Sequence, residues 1–106
     1  MVARTVRMQL KPNSVAEFTR TLENDLIPLL RKQPSFQDEM ACVVPGGTEA
    51  VSIRVWDQQE DAEAYAHGTS PHVLKAVANV LEGTPQVDTY EVSNSTFHKI
   101  APRVAV

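Results

Sequence analysis

Two of the chain's three histidines, His67 and His72, stand five residues apart in the stretch AYAHGTSPHVL, with a Gly, a Ser and a Pro between them. An imidazole is the side chain that most readily exchanges a proton near pH 7. The pair does not have metal-ligand spacing, because two ligands on one helical face need i and i+4 without an interruption. No metal site is expected. A helix ending at Gly68 puts His67 at its C-terminus, where the helix dipole favours the charged imidazole. A helix restarting with Ser70 as N-cap and Pro71 in its first turn puts His72 where the dipole favours the neutral form. Neutral imidazole is a general base, so His72 is the candidate base and His67 a candidate binding residue. The plainer alternative is two solvated histidines at an ordinary helix break. Tyr65 could orient a phenolic substrate, and Trp56 could wall an aromatic pocket. Both also read as core residues. Phe18, Leu22, Met40 and Val77 read as pocket or core walls. Arg54, of opposite parity to Val55, reads as a surface residue reaching an open sheet face or a dimer salt bridge. His98 is expected in solvent and Cys42 buried within a strand.

The elements that must position these groups follow from apolar spacing. Val6, Met8 and Leu10 alternate with polar residues, which predicts a strand. KPNS then starts a helix, with Ser14 and Glu17 spaced as a capping box. Val15, Phe18, Leu22, Leu26 and Leu29 recur at three and four, an amphipathic helix reaching about Lys32. Pro28 predicts a kink in it. Met40, Cys42 and Val44, then Val51, Ile53 and Val55, predict two strands around the turn PGG. Asp57 and Glu60 form a second possible capping box, opening a helix through Ala62, Tyr65 and Ala66. Val73, Val77, Val80 and Leu81 continue the apolar stripe after the break, with Gly83 and Pro85 closing it. A long final strand is expected over Val87 to Ile100.

The order strand, helix, strand, strand, helix, strand is the ferredoxin-like βαββαβ arrangement. This α+β fold is a four-stranded antiparallel sheet with two helices on one face. Apolar residues on both parities of several strands leave the other face needing a partner. A second copy is the simplest one, so a homodimer through the open sheet face and the last strand is expected.

The 106 residues suit one domain, and 42% of them are hydrophobic, enough for a core without disulfides or metals. A net charge of −3 and scattered Lys and Arg give no footprint for nucleic acid or an anionic membrane. No apolar run approaches the roughly 18 residues of a membrane helix, and the N-terminus does not read as a signal peptide. The single cysteine, Cys42, excludes an internal disulfide and fits a cytoplasmic setting. There is no Gly-rich phosphate loop, Rossmann fingerprint or serine-hydrolase elbow.

IPLLRKQPSF, VWDQQEDAEAY and YEVSNSTFHKI resemble the end of the first helix, the third strand with the second helix, and the closing strand of the antibiotic biosynthesis monooxygenase-like family of dimeric α/β barrels. The resemblance spans about residues 4–100, leaving a short tail at 101–106. Ser35 departs from it, since glycine is common there. The resemblance implies a homodimeric barrel with a pocket between helices and sheet in each subunit. It implies an enzyme that oxidises an electron-rich aromatic or polyketide-like substrate with O₂, using no metal or flavin. His72 would then be the base, with Trp56 and Tyr65 holding the ring. The family's haem-degrading branch places an Asn, a Trp and a His where this chain has Val6, Tyr65 and Lys75, so haem chemistry is not implied. The same scaffold also carries isomerases and cyclases. A non-catalytic dimer holding a small hydrophobic or aromatic ligand is the alternative from another class.

Overall fold

The computed structural model describes residues 1–100; the tail at 101–106 lies outside the described residues. Strand β1 is Val2–Leu10, β2 Phe36–Val43, β3 Glu49–Trp56 and β4 Leu81–Glu91. They form one antiparallel sheet in the order β2-β3-β1-β4, the ferredoxin-like pattern. Helices α1 (Val15–Thr21) and α2 (Ile27–Arg31) connect β1 to β2, and α3 (Gln59–Gly68) and α4 (Ser70–Val77) connect β3 to β4. Their apolar residues Phe18, Leu22, Leu26, Leu30, Ala62, Tyr65, Val73 and Val77 share one core with Val2, Val6, Met8 and Leu10 of β1.

Pro28 does more than kink its helix. Between α1 and α2 the chain makes a π turn, Leu22–Leu26, in which the Ile27 N–H reaches the Leu22 carbonyl. Proline cannot donate the next helical bond, so Pro28 sits in the first turn of a new segment, where none is needed. Leu22, Leu26 and Leu30 all remain buried across the join. Neither expected capping box forms. Ser14 accepts the Phe18 N–H with its backbone carbonyl, at 2.9 Å, and its hydroxyl caps nothing. The cap of α3 is Gln58, in an extended conformation, and not Asp57. The Ser35 hydroxyl takes the Gln58 N–H instead, at 3.3 Å.

Ser35 itself has φ +59, the left-handed region that explains why glycine suits this position. A β-branched residue there is expected to cost about 1–2 kcal/mol. Thermal unfolding of Ser35→Val should show that loss, whereas Ser35→Gly should stay close to the parent. A melting point for Ser35→Val equal to the parent's would rule out the strain.

The last strand begins earlier and ends earlier than Val87–Ile100. Gly83 and Pro85 lie inside β4 and do not close a helix. Register jumps from Arg7↔Gln86 to Gln9↔Glu82, so β4 bulges outward over Gly83, which has φ +70, Thr84 and Pro85. Proline has no N–H for a ladder and glycine permits the turn, so this is where a strand edge can take both. After Glu91 the chain leaves the sheet. The Val92 N–H bonds the Met1 carbonyl at 3.0 Å, and Ser95, Phe97 and His98 then reach Met40, Ile53 and Val55 on the face away from the helices. His98 pairs there with Asp38, so it is not the free solvent histidine expected.

Candidate active site

The inner row of β3, facing the helices, is Ala50, Ser52, Arg54 and Trp56. It is aligned with Met8, Val6, Arg4 and Val2 of β1. The outer row is Val51, Ile53 and Val55. This inverts ordinary patterning, in which the more apolar row packs on the helices. It corrects the assignment of Arg54 to the open face: the guanidinium lies on the covered side. Cys42 is corrected the other way. It pairs with Val51 on the open face and is exposed, because the apolar alternation of β2 belongs to the uncovered side. A bulge between Phe36 and Asp38 lets Phe36 face inward while Asp38 faces out.

The inner row borders a cavity of about 110 Å³ between sheet and helices. Val6, Met8, Phe18, Leu22, Leu26 and Val77 are among its walls, Arg54 is its one charged group, and Thr84, Pro85 and Val87 of the β4 bulge edge it. The π turn therefore contributes two wall residues and the bulge contributes the rim. Sequence reasoning found the first irregularity only as a kink at Pro28 and passed over the bulge, although the Gly-Thr-Pro of β4 was its visible signal.

Around Arg54 the polar groups are sparse and ordered. Its Nε–H donates to the Ser52 hydroxyl at 3.3 Å, and that hydroxyl donates to Glu39 Oε1 at 2.7 Å. Ser52 is fully buried. Arg54 Cζ lies 5.8 Å from the centre of the Tyr65 ring, a cation–π contact. Burial lowers the pKa of Arg54, opposed by the nearby Tyr65 and Glu39. Arg4 stands opposite Arg54 in the neighbouring strand and donates to the Ala62 carbonyl at 3.2 Å. Trp56 stacks obliquely on Tyr65, with centroids 5.5 Å apart, and meets Phe36 edge-on at 5.3 Å. The Tyr65 hydroxyl and the Trp56 Nε1–H are both buried, and among the described residues neither has a hydrogen-bond partner.

The structure separates the residues proposed from sequence. Phe18, Leu22 and Val77 line the cavity; Met40 does not, because it pairs with Ile53 on the open face of the sheet and is exposed there. Trp56 and Tyr65 lie in the core behind Arg54. His67 and His72 are exposed and neither borders the cavity. Thr69, between α3 and α4, keeps a helical backbone, and the His72 N–H bonds its carbonyl at 3.1 Å. The expected break is thus a slight offset between two helical segments, with Thr69 and not Ser70 at the junction. Among the described residues no cluster of His, Cys, Asp and Glu could hold a metal. No described helix is long and apolar enough to cross a membrane.

Burial raises the pKa of the Tyr65 phenol, with Arg54 pulling the other way. A raised folded-state pKa adds stability that is complete below the unfolded value, about 10, and is lost as pH rises through the folded value. Tyr65→Phe is expected to remove this alkaline loss. It should leave neutral-pH stability unchanged or higher, since the hydroxyl it deletes has no partner. Urea unfolding at neutral and alkaline pH checks both; a marked loss at neutral pH would show that the hydroxyl is bonded.

The sheet and its one-sided helices define the chain as a ferredoxin-like α+β domain. The particular structures it resembles are these. A monooxygenase from the gene ActVA-Orf6 of Streptomyces coelicolor, in complex with the ligand nanaomycin D, has a TM-score of 0.76 and 14% identity, with 92% of each chain covered. SnoaB, a cofactor-independent oxygenase from Streptomyces nogalater, has a TM-score of 0.74 and 14% identity, over 90% of this chain and 95% of that one. A protein of unknown function from Nitrosomonas europaea has a TM-score of 0.72 and 22% identity, over 90% and 91%. No family model and no curated protein matches the sequence.

Proposed function

We propose that the chain is a cofactor-independent oxygenase acting on an electron-rich phenolic or enolisable aromatic, working as a homodimer. The observation that carries this reading is the apolar cavity with a single guanidinium, Arg54, in its wall. An ionised phenol or enol can give electrons to O₂ directly. A fixed cation beside the oxygen anion favours ionisation and steadies the charge as it moves. One oxygen atom becomes a new carbonyl oxygen on the ring. The other leaves as water with the two hydrogens the substrate loses. Fold kinship with two oxygenases supports the assignment by analogy.

The dimer rests on the outer sheet face, where Val51, Ile53 and Val55 lie beside Met40 and Tyr90, which are 57% and 56% exposed. Such a contiguous apolar face calls for cover.

Oxygen consumption with phenols ranging from one ring to a three-ring hydroxyanthrone is the test, followed by sedimentation to measure mass. Uptake that depends on both protein and substrate is expected, and His72→Ala should leave it unchanged because His72 is away from the cavity. Absence of uptake across the panel would reject the oxygenase reading. A specific feature favours binding without catalysis as the second reading: neither His67 nor His72 borders the cavity. Ligand binding without oxygen consumption would establish it.

A further inference from the structure

Arg54 is placed on the buried side of a sheet, where a charge is costly unless compensated. Among the described residues no carboxylate forms an ion pair with it. Its neighbours across the two strand pairs are another cation, Arg4, on β1 and Glu39 on β2. Like charges directly opposite each other on one sheet face are destabilising. Glu39 is also joined to Arg54 through the hydroxyl of Ser52. That link uses Nε and leaves the two terminal nitrogens with no other hydrogen bond among the described residues, beside a cavity with apolar walls. The cavity is small. An apolar space of about 150 Å³ accommodates benzene, so 110 Å³ suits at most one ring, with substituents leaving past the β4 bulge.

We propose that Arg54 is the anion-binding group of this cavity, that Glu39 and Ser52 position it, and that the site takes a one-ring aromatic in its ionised form, an acidic phenol or an aryl carboxylate. The inference rests on the same cavity as the proposed oxygenase and names its ligand class. Ser52 accepts from Arg54 and donates to Glu39, which sets the direction of both bonds. The guanidinium plane is thereby held while its terminal N–H groups stay available for a bidentate contact. Glu39 returns part of the negative charge that the two arginines lack, without occupying the ligand's place. Ser52 and Glu39 are positioning residues, since neither borders the cavity.

The test uses the full chain and 4-nitrophenol, whose phenolate is coloured. Binding at Arg54 should lower the apparent pKa of the bound probe by about one unit, a tenfold preference for the anion. Nitrobenzene, of similar size and uncharged, should bind without such a preference. Arg54→Met should abolish the shift. Ser52→Ala and Glu39→Gln should each weaken it about threefold or more, and Ser52→Thr, which keeps the hydroxyl, should restore it. Glu39 is half-exposed, so Glu39→Gln keeps the comparison valid should Ser52→Ala fold poorly. The Arg54 Nε–H resonance gives a ligand-free readout: it should exchange slowly in the parent and faster in Ser52→Ala. A shift unaffected by Ser52→Ala and Glu39→Gln overturns the positioning relay. A probe ionised equally with and without Arg54 overturns the anion site, even where oxygen uptake is observed. Anion binding through Arg54 without any oxygen uptake sustains this inference while rejecting the oxygenase reading.

Discussion

Trp56→Ala is expected to lower the unfolding free energy by about 3–5 kcal/mol, the range for deleting a large buried aromatic ring. Domains of this size are stable by only about 5–15 kcal/mol, so the variant should sit close to unfolding at room temperature. The reason lies in what the indole joins. It is fully buried at the end of β3, meets Phe36 of β2 and stacks on Tyr65 of α3. Removing it unpins the second helical segment and the edge strand together. Urea denaturation measures the loss. A cost below about 2 kcal/mol would mean that Phe36 and Tyr65 collapse into the space. Trp56→Phe should recover most of the deficit, because the indole N–H has no partner to lose.

Arg54→Met should have a large effect of another kind. Removing one preorganised charge from a site of this type commonly costs about 100- to 1000-fold in turnover. Oxygen uptake by the proposed reaction should fall accordingly. Stability should not fall with it. The guanidinium is partly desolvated and stands between Arg4 and Glu39 of the neighbouring strands, and among the described residues no carboxylate forms an ion pair with it. Methionine fills similar space without a charge, and such replacements are often neutral or stabilising. The bond from Ser52 to Glu39 survives the change. Parallel melting curves and oxygen traces decide it: an inactive variant that is also unstable would assign Arg54 to the scaffold.

The fold was legible because the first strand and both helical stripes carry unambiguous periods. Val6, Met8 and Leu10 do face the helices, and Phe18, Leu22 and Leu26 do form one buried line. The site was less legible, for reasons tied to particular residues. His72 was chosen for its chemistry, but α3 and α4 continue almost without interruption and carry it on their outer surface. Arg54 was passed over because a charged residue between valines reads as solvent-facing, whereas here the valines face away from the helices. The last strand was misplaced because Gly83 and Pro85 signal a stop in isolation and become a bulge once Arg7 and Gln9 pair on either side of them. Ser14 and Asp57 had cap spacing, yet caps are local preferences: Ser14 serves α1 only with its backbone carbonyl, and at α3 the Ser35 hydroxyl takes the Gln58 N–H.

The inverted rows of β3 carry a consequence for how the chain can change. Sliding β3 by one residue would bring Val51, Ile53 and Val55 into the core and send Arg54 out, but Trp56, on the same row as Arg54, would leave with it. The hairpin turn adds its own restraint on the slip. Gly46 has φ +70, and a Cβ on Gly47 would come within 3.0 Å of the Val44 side chain. The Val44 N–H closes the loop on the Glu49 carbonyl at 3.0 Å. A single residue inserted into or deleted from this turn, far from the cavity, would therefore evert the strand. It would carry Arg54 and its aromatic anchor Trp56 out of the interior together, while leaving every side chain of β3 unchanged.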